Sequence, residues 1–362
     1  MHGVENKEDP GHRPLRFIAL LLLAIWPLAL IETAVEASGI APPRAAPLSV
    51  VNPREDMMFR DEGSGFRFSA RWLWEPKPGA DFSGDIVNEH CRRGSIVPQR
   101  ADERFRIVTL GDSSTFGLNV KDEECFSRRL ESKLRQRDER FDVLNLGCVG
   151  FSSVQALARY RGEGQSFSPR IVIVAVGAIN DQFAATGGLT DRSKIALYSR
   201  PTMQIKEFCE RFSTFRWLEH VLTPTDRTTR LASIAKSTER VPLDEFERAV
   251  LELDAEVAND GARLLIVVPP RRKDAEGAFP KCVGYTERLQ ELVAKRSLPH
   301  IDLFAEFRAL DEADSRVHAR PESSPRFCDG FHPSPEGHEL YASRLLEHLD
   351  ALGWLDAPQE DR

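Results

Sequence analysis

The sequence predicts an α/β protein: a three-layer α/β/α sandwich in which helices cover both faces of a mostly parallel, five-stranded sheet. Between residues 105 and 352, short apolar runs alternate with longer amphipathic segments, as in folds built from βαβ units. The run Ile171–Val176 is apolar throughout, which is expected of a parallel strand that is buried on both faces. Glycines and small polar residues follow several runs, and the turns after parallel strands gather at one edge of the sheet.

The predicted strands are short, and the first of them is β-branched and ends at a glycine. The strands are Phe105–Leu110, Phe141–Leu146, Ile171–Val176, Ala262–Val268 and His300–Phe304. The predicted helices carry apolar residues at helical spacing. They are a segment capped by Asp122 with Phe126, Leu130 and Leu134 on one face, then Ser152–Tyr160, Leu243–Asn259, Tyr285–Lys295 and a last helix that begins at Ser334-Pro335-Glu336.

The chain has 362 residues and a formal net charge of −7, which gives no support to nucleic-acid binding. The main domain is predicted to span residues 105–352. Residues 61–104 contain alternating aromatic residues and predict short strands in a small appended lobe. Residues 182–242 break the strand–helix alternation. We interpret them either as an insertion that borders the site or as a peripheral helical pair with its own small core.

Residues 1–37 are predicted to be a leader followed by a membrane helix. Phe17–Ile31 is an unbroken apolar stretch behind Arg13 and Arg16, so the arginines are expected to stay in the cytoplasm and the rest to be exported. As a helix the stretch spans about 22 Å, short of the roughly 30 Å hydrocarbon core. It is either an uncleaved inner-membrane anchor, which we favour, or a signal peptide cleaved after Ala37, which would give a secreted protein. Residues 38–60 are a predicted linker.

The sequence has six cysteines, and no two of them form a Cys-x-x-Cys motif. A zinc site or thioredoxin-like redox chemistry is therefore poorly supported. Cys282 and Cys328 lie in loop-like segments and are candidates for a disulfide. Buried free thiols are an equally good interpretation.

Ser113 lies in the polar turn Gly111–Gly117, directly after the first strand, and we interpret it as a nucleophile. Serines are also ordinary turn residues, and glycine-rich loops after strands bind phosphate. The carboxylate of Asp112 would repel a phosphate, and no Gly-Lys-Ser/Thr follows. The nucleophile hypothesis requires a histidine, a carboxylate and oxyanion donors elsewhere in the chain.

Asp329 and His332 lie three residues apart, just before the last helix. This spacing lets the carboxylate accept a hydrogen bond from one ring nitrogen while the other ring nitrogen faces the active edge, as a serine nucleophile requires of its base. Pro333 biases His332 away from helical torsions. A histidine near a helix start also commonly has a structural role, so the pair gains meaning only together with Ser113.

Acyl transfer also needs hydrogen-bond donors for the developing oxyanion. The candidates are the backbone N–H groups of Ser113 and Gly147 and the side-chain amide of Asn180. The N–H of Gly147 is approachable because no side chain intervenes. In isolation, a turn requirement explains Gly147 and an Asx-turn explains Asn180 equally well.

Together, these motifs resemble the SGNH, or GDSL-type, hydrolase superfamily of serine esterases, and the layout is similar to its bacterial membrane-anchored members. The matching motifs, within about residues 105–350, are Gly111-Asp112-Ser113-Ser114, Asn145-Leu146-Gly147, Asn180-Asp181 and Asp329-Gly330-Phe331-His332-Pro333. The resemblance implies a flavodoxin-like fold and an esterase that needs no metal or other cofactor. It implies that Ser113 is the nucleophile, His332 the general base and Asp329 its orienting partner.

The resemblance also implies an oxyanion hole formed by Ser113, Gly147 and Asn180. Two positions depart from the family pattern: Ala178 replaces a usual glycine, and Ser114 replaces the leucine of the name motif. We expect an exported, membrane-tethered serine hydrolase that cleaves an acyl ester of a glycan, a lipid or a small molecule. The alternatives are an O-acyltransferase to a cell-surface polysaccharide and a non-catalytic glycan-binding module, although no triad member is missing.

Overall fold

The computed structural model describes residues 13–41, 65–94, 104–177, 179–185, 189–222, 239–272, 275–319 and 324–356. The predicted leader before residue 13, most of the predicted linker 38–60, and Ala178 lie outside the described residues. The chain divides into two compact units. One contains Met1–Ala46 and Arg200–Ser233, and the other contains Pro47–Ser199 and Ile234–Arg362.

The described strands and helices are numbered in chain order. The strands are β1 (Phe66–Ser69), β2 (Leu73–Pro76), β3 (Asp81–Phe82), β4 (Asp85–Ile86), β5 (Phe105–Gly111), β6 (Phe141–Asn145), β7 (Ile171–Ala175), β8 (Arg263–Val268) and β9 (His300–Asp302). The helices are α1 (Arg13–Ser38), α2 (Ser113–Phe116), α3 (Phe126–Arg135), α4 (Ser153–Gly162), α5 (Asp191–Tyr198), α6 (Pro201–Cys209), α7 (Ser213–Leu222), α8 (Leu243–Asn259), α9 (Ala275–Ala278), α10 (Lys281–Arg296), α11 (Leu303–Ala313), α12 (Ser315–Ala319) and α13 (Pro335–Ala351).

The larger unit is built on a parallel sheet with strand order β6-β5-β7-β8-β9. This is the order of flavodoxin-like folds, which place their site where the strand order reverses, next to the first strand. Successive residues of β5 point to opposite faces. Ile107 joins a core with α3 and α13, and Val108 joins a core with α4, α8 and α10. The predicted three-layer sandwich is therefore confirmed.

The helix predicted over Tyr285–Lys295 begins earlier, at Lys281, and two other predicted boundaries are wrong for a local reason. The strand predicted to reach Phe304 ends at Asp302, because the carboxylate of Asp302 accepts the Ala305 N–H at 2.9 Å and begins α11. Asp122 lies in a short 3₁₀ turn rather than at a helix cap, and α3 begins after Cys125. The final helix begins as predicted, with the Ser334 hydroxyl accepting the Gly337 N–H.

The predicted appended lobe contains two antiparallel hairpins, β1–β2 and β3–β4, which confirms the strand prediction from its aromatic residues. Trp74 on β2 is completely buried. The lobe belongs to the same compact unit as the sheet, so its buried face contributes to the fold of the main domain.

The smaller unit contains α1, α6 and α7. The side chain of Glu32 on α1 accepts hydrogen bonds from the backbone N–H groups of Ser213 and Thr214 at the start of α7. A carboxylate is favourable there because a helix begins with unsatisfied N–H groups and a positive end of its dipole. The middle of the predicted 182–242 insertion is thus grouped with the N-terminal helix, while its two ends belong to the larger unit.

A helix was predicted over the apolar N-terminal stretch, and α1 is that helix, with Pro27 inside it. Within the part of the chain that the structure describes, no helix is both long and apolar enough to cross a membrane. The membrane-spanning helix of the prediction is not found.

All six cysteines are free thiols. The candidate disulfide between Cys282 and Cys328 is absent, because Cys282 is buried on α10 whereas Cys328 is exposed in the loop before α13. The alternative of buried free thiols is correct for Cys282 but wrong for Cys328, which is free and exposed.

Candidate active site

Ser113 is the first residue of α2, directly after β5. Gly111, the last residue of β5, packs closely against β7, because a Cβ at this position would lie 2.6 Å from the Ala175 carbonyl oxygen. Asp112 caps α2, and its carboxylate accepts the Ser114 N–H at 2.9 Å. The predicted turn is therefore a short capped helix that presents Ser113 at the carboxyl end of the sheet.

The predicted triad residues meet in the structure. The Nε2 atom of His332 lies 2.8 Å from the Ser113 hydroxyl oxygen, and Nδ1 lies 2.6 Å from an oxygen of Asp329. The other Asp329 oxygen accepts the N–H groups of Phe331 and His332, each at 2.8 Å. This is the hydrogen-bond sequence that activates a serine nucleophile.

These hydrogen bonds keep Asp329 ionised. Partial burial by itself would raise the pKa of Asp329. The hydrogen bonds from the His332 ring and from two backbone N–H groups outweigh burial and lower that pKa to about 2. A carboxylate at neutral pH holds the His332 proton on Nδ1, which leaves Nε2 free to accept the proton of Ser113.

The loop Cys328–Pro333, called the histidine loop below, is held to the nucleophile by further contacts. The Ser114 hydroxyl donates to the Phe331 carbonyl oxygen at 3.2 Å. The backbone N–H of Arg272, in the turn after β8, donates to the Gly330 carbonyl oxygen at 3.0 Å. These contacts position His332 from two neighbouring turns.

Asn180 follows β7 and reaches the nucleophile through Asp112. Its side-chain Nδ2 donates to the second oxygen of Asp112 at 3.2 Å, and both side chains are buried. Burial raises the pKa of the Asp112 carboxyl group. The Nδ2 group carries two hydrogens, and Asp112 accepts one of them.

Gly147 lies against α2. A Cβ at Gly147 would lie 2.7 Å from the backbone nitrogen of Phe116, so only glycine permits this close approach. The Gly147 N–H donates to Oδ1 of Asn145 at 3.0 Å, and the Asn145 amide donates to the Thr115 carbonyl oxygen at 2.7 Å. The predicted oxyanion donor therefore already has an intramolecular partner in this structure.

The structure brings Ser113, His332 and Asp329 into direct contact, places Asn180 one hydrogen bond away through Asp112, and packs Gly147 on the nucleophile helix. Sequence reasoning missed the hydrogen bonds of Asp112 to Asn180 and of Asn145 to Gly147. All four of these residues lie inside the motifs, but which of them form hydrogen bonds depends on side-chain directions that motif spacing does not specify. Among the described residues, no group of three histidine, cysteine, aspartate or glutamate side chains is arranged to hold a metal ion.

A comparison with protein families matches residues 109–340 to the GDSL-like lipase/acylhydrolase family. The match covers the nucleophile turn, the Gly147 and Asn180 segments and the histidine loop. No curated protein sequence matches the chain.

Solved structures with a similar fold include three bacterial enzymes. The lipase/acylhydrolase from Enterococcus faecalis is 16% identical, with 68% of this chain and 96% of that chain covered and a TM-score of 0.43. A catalytic mutant of an acetylxylan esterase from Geobacillus stearothermophilus is 14% identical, with 68% of this chain and 94% of that chain covered and a TM-score of 0.42. A psychrotrophic esterase from Pseudoalteromonas sp. is 13% identical, with 68% of this chain and 97% of that chain covered and a TM-score of 0.40.

Proposed function

Since this chain belongs to the GDSL-like lipase/acylhydrolase family, we propose that it hydrolyses an ester through a Ser113–His332–Asp329 triad and an acyl-enzyme. The observation that carries the proposal is the continuous hydrogen-bond sequence from Asp329 through His332 to Ser113. A serine hydroxyl is a weak nucleophile at neutral pH and needs such a base.

In this mechanism, the Ser113 hydroxyl oxygen attacks the ester carbonyl carbon while His332 Nε2 takes its proton. The tetrahedral intermediate collapses, and the imidazolium returns the proton to the leaving alcohol. Water then attacks the carbonyl carbon of the acyl-enzyme while His332 takes one of its protons, and the imidazolium returns that proton to the Ser113 oxygen as the acyl bond breaks and the free acid leaves. Asp329 stabilises the imidazolium in both steps.

The oxyanion hole is proposed to contain the Ser113 N–H and the second hydrogen of the Asn180 amide. Gly147 is proposed to supply a third donor by sharing its N–H between Asn145 and the oxyanion. Loss of one such donor typically costs roughly a hundredfold to a thousandfold in kcat.

We propose that the substrate is an acyl ester of a glycan or a lipid. We also propose that the protein is exported and held at the inner membrane through α1. The apolar stretch behind two arginines supports export. Large apolar side chains of α1 are exposed, with Leu23 at 70%, Trp26 at 66% and Leu28 at 66%, and a lipid surface would cover them. Fractionation of cells that make the full chain, with N-terminal sequencing, tests this. A soluble protein that begins at Ser38 would show cleavage and secretion instead.

The same acyl-enzyme would also serve an O-acyltransferase, in which a sugar hydroxyl replaces water. The products of a reaction with an acyl donor and a polysaccharide acceptor separate the two activities. We expect free acid as the product, and acylated polysaccharide would favour the transferase.

Hydrolysis of short-chain p-nitrophenyl esters by the purified full chain tests the proposed nucleophile. We expect Ser113→Ala to lower kcat by about 10⁴-fold or more. The exposed Ser166→Ala is the matched control and should retain wild-type activity. Activity that persists in Ser113→Ala would refute the assignment.

A further inference from the structure

Two buried side chains from outside the motifs hold the loop after β6. The indole Nε1 of Trp74, in the appended lobe, donates to the Val149 carbonyl oxygen at 2.9 Å. Nη1 of Arg240, which lies near the end of the predicted insertion, donates to the Gly150 carbonyl oxygen at 3.0 Å. Both side chains are almost completely buried. The loop Gly147–Gly150, called the oxyanion loop below, is thus fixed on its outer side.

The inner side of the oxyanion loop lies against the nucleophile turn. The Cys148 N–H donates to the Gly111 carbonyl oxygen at 3.1 Å, and Gly147 packs directly on the backbone of α2. The loop therefore lies between the segment that carries Ser113 and the two side chains Trp74 and Arg240. A shift of its outer carbonyl groups would move Gly147 relative to Ser113.

Arg240 is buried and has an acidic partner, Asp191, which offsets the cost of burying its charge. Its guanidinium group lies 2.7 Å from an oxygen of Asp191 and donates to Oε1 of Gln155 at 2.6 Å. Its central carbon lies 5.0 Å from the Trp74 ring centroid. The Asp191 carboxylate also accepts the hydroxyl of Ser152, the N-cap of α4, at 2.8 Å. This network links the Gly150 end of the oxyanion loop to the beginnings of α4 and α5.

We propose that Trp74 and Arg240 are positioning residues of the acyl-transfer reaction, which hold the oxyanion loop so that Gly147 faces the oxyanion formed at Ser113. The inference rests on the proposed function. It gives one side chain of the appended lobe a positioning role, because the Trp74 indole N–H holds the loop that carries a proposed oxyanion donor.

This role differs from a purely structural one in what it predicts for kinetics. Oxyanion donors act on the tetrahedral intermediate more than on the bound ester. A small displacement of such a donor lowers kcat, and displacements of about 1 Å can cost roughly a hundredfold. A loss of folded protein would instead lower kcat and thermal stability together.

Trp74→Phe is the most direct test, because it removes the indole N–H and keeps an aromatic ring. Trp72→Phe is its matched control: Trp72 is also buried, in the same lobe, but its indole N–H donates to Glu75 at 3.1 Å and does not reach the loop. We expect kcat for a p-nitrophenyl ester to fall about tenfold in Trp74→Phe, with KM within about twofold of wild type. Trp72→Phe should keep a near wild-type kcat.

Arg240→Lys is the second test and serves if Trp74→Phe does not fold. Lysine keeps the charge beside Asp191 but lacks the planar fork that reaches two further acceptors. Arg159→Lys is the control, because Arg159 is a buried arginine that pairs with Glu163 and packs over Trp72. We expect only Arg240→Lys to lower kcat by about tenfold or more.

A boronic acid that forms a tetrahedral, anionic adduct with Ser113 gives a readout that a structural role would not move. The variants at Trp74 and Arg240 should bind it more weakly by the same factor by which kcat falls, with melting temperatures like those of their controls. Equal kcat and equal boronate affinity in variant and control, in an active wild type, would overturn the inference. An inactive wild type would instead overturn the proposed function.

Discussion

Ser113 and His332, 219 positions apart in the sequence, meet with 2.8 Å between the serine hydroxyl oxygen and the imidazole Nε2. The contact arises because the turn after β5 carries Ser113 to the edge of the sheet, where the histidine loop before α13 meets it. The Ser114–Phe331 hydrogen bond joins the two turns next to the reacting atoms. If the Ser113–His332 hydrogen bond activates the serine, then esterase activity depends on each group that holds the His332 ring in place.

Asp329→Asn should lower kcat by about a hundredfold to ten-thousandfold. An amide at this position no longer stabilises the imidazolium and permits the wrong tautomer of His332. Steady-state hydrolysis of a p-nitrophenyl ester measures the effect, and Asp350→Asn, which removes an exposed partner of Arg137, is the control. An Asp329→Asn enzyme with wild-type kcat would show that the carboxylate has no role in the reaction.

Asn180→Ala should lower kcat by roughly a hundredfold to a thousandfold, because it removes a proposed donor to the oxyanion. KM should change little, since the ground-state carbonyl gains less from that donor. Asn180→Asp keeps the shape, loses the donor and places a second carboxylate beside Asp112, so it should lose at least as much activity. If KM rises while kcat is unchanged, Asn180 binds substrate and is not an oxyanion donor.

Gly147→Ala should lower kcat by about tenfold or more. The new Cβ would lie 2.7 Å from the Phe116 nitrogen, so α2 and Ser113 must shift. Gly284→Ala is the matched control, because a Cβ there meets nothing within 4 Å. The two variants are compared by kcat and by melting temperature. Equal kcat would mean that the approach of Gly147 to α2 has no catalytic consequence.

His338 should make stability depend on pH. It is completely buried on α13, and its Nδ1 accepts the Phe126 N–H at 3.2 Å. Burial and the positive charges of Arg129 and Arg93 lower the pKa of His338 to about 3. The unfolded chain has the ordinary histidine pKa of about 6.5. Between these values only the unfolded chain binds the proton, so the free energy of unfolding decreases as pH falls, by about 1.4 kcal/mol per pH unit.

Urea unfolding of wild type and His338→Gln at pH 7 and pH 5 measures this contribution. The free energy of unfolding of wild type relative to the variant should fall by about 2 kcal/mol over that range. Burial raises the pKa of Asp181 to about 6, which has the opposite sign, but Asp181 is present in both proteins and cancels. The exposed His90→Gln is the control. Equal pH dependence in wild type and His338→Gln would contradict the prediction.

The strands and the Asp329–His332 pair could be predicted from sequence because each depends on local pattern, whereas the distant Ser113–His332 contact was expected from the family resemblance. Buried parallel strands are continuous apolar runs, as in Ile171–Ala175. The spacing of Asp329 and His332 places both on one loop, so their contact needs no distant information. The end of β9 was not predicted, because Asp302 is both the last residue of β9 and the N-cap of α11 and no loop separates the two elements.

The positioning of the oxyanion loop could not be predicted, because it depends on contacts distant in sequence. Trp74 and Val149 are 75 positions apart, and Arg240 and Gly150 are 90 apart. The pairing of the Gly147 N–H with Asn145 depends on Thr115, which belongs to another element. Such pairings follow from tertiary packing and not from motif spacing.

The most direct test of the central claim is to treat the full chain, purified in detergent, with a fluorophosphonate and to map the adduct by mass spectrometry. The account predicts labelling at Ser113 that is lost in His332→Ala, because the hydroxyl reacts only when Nε2 takes its proton. A folded wild-type protein with no label, or equal labelling of Ser113 in His332→Ala, would contradict the account.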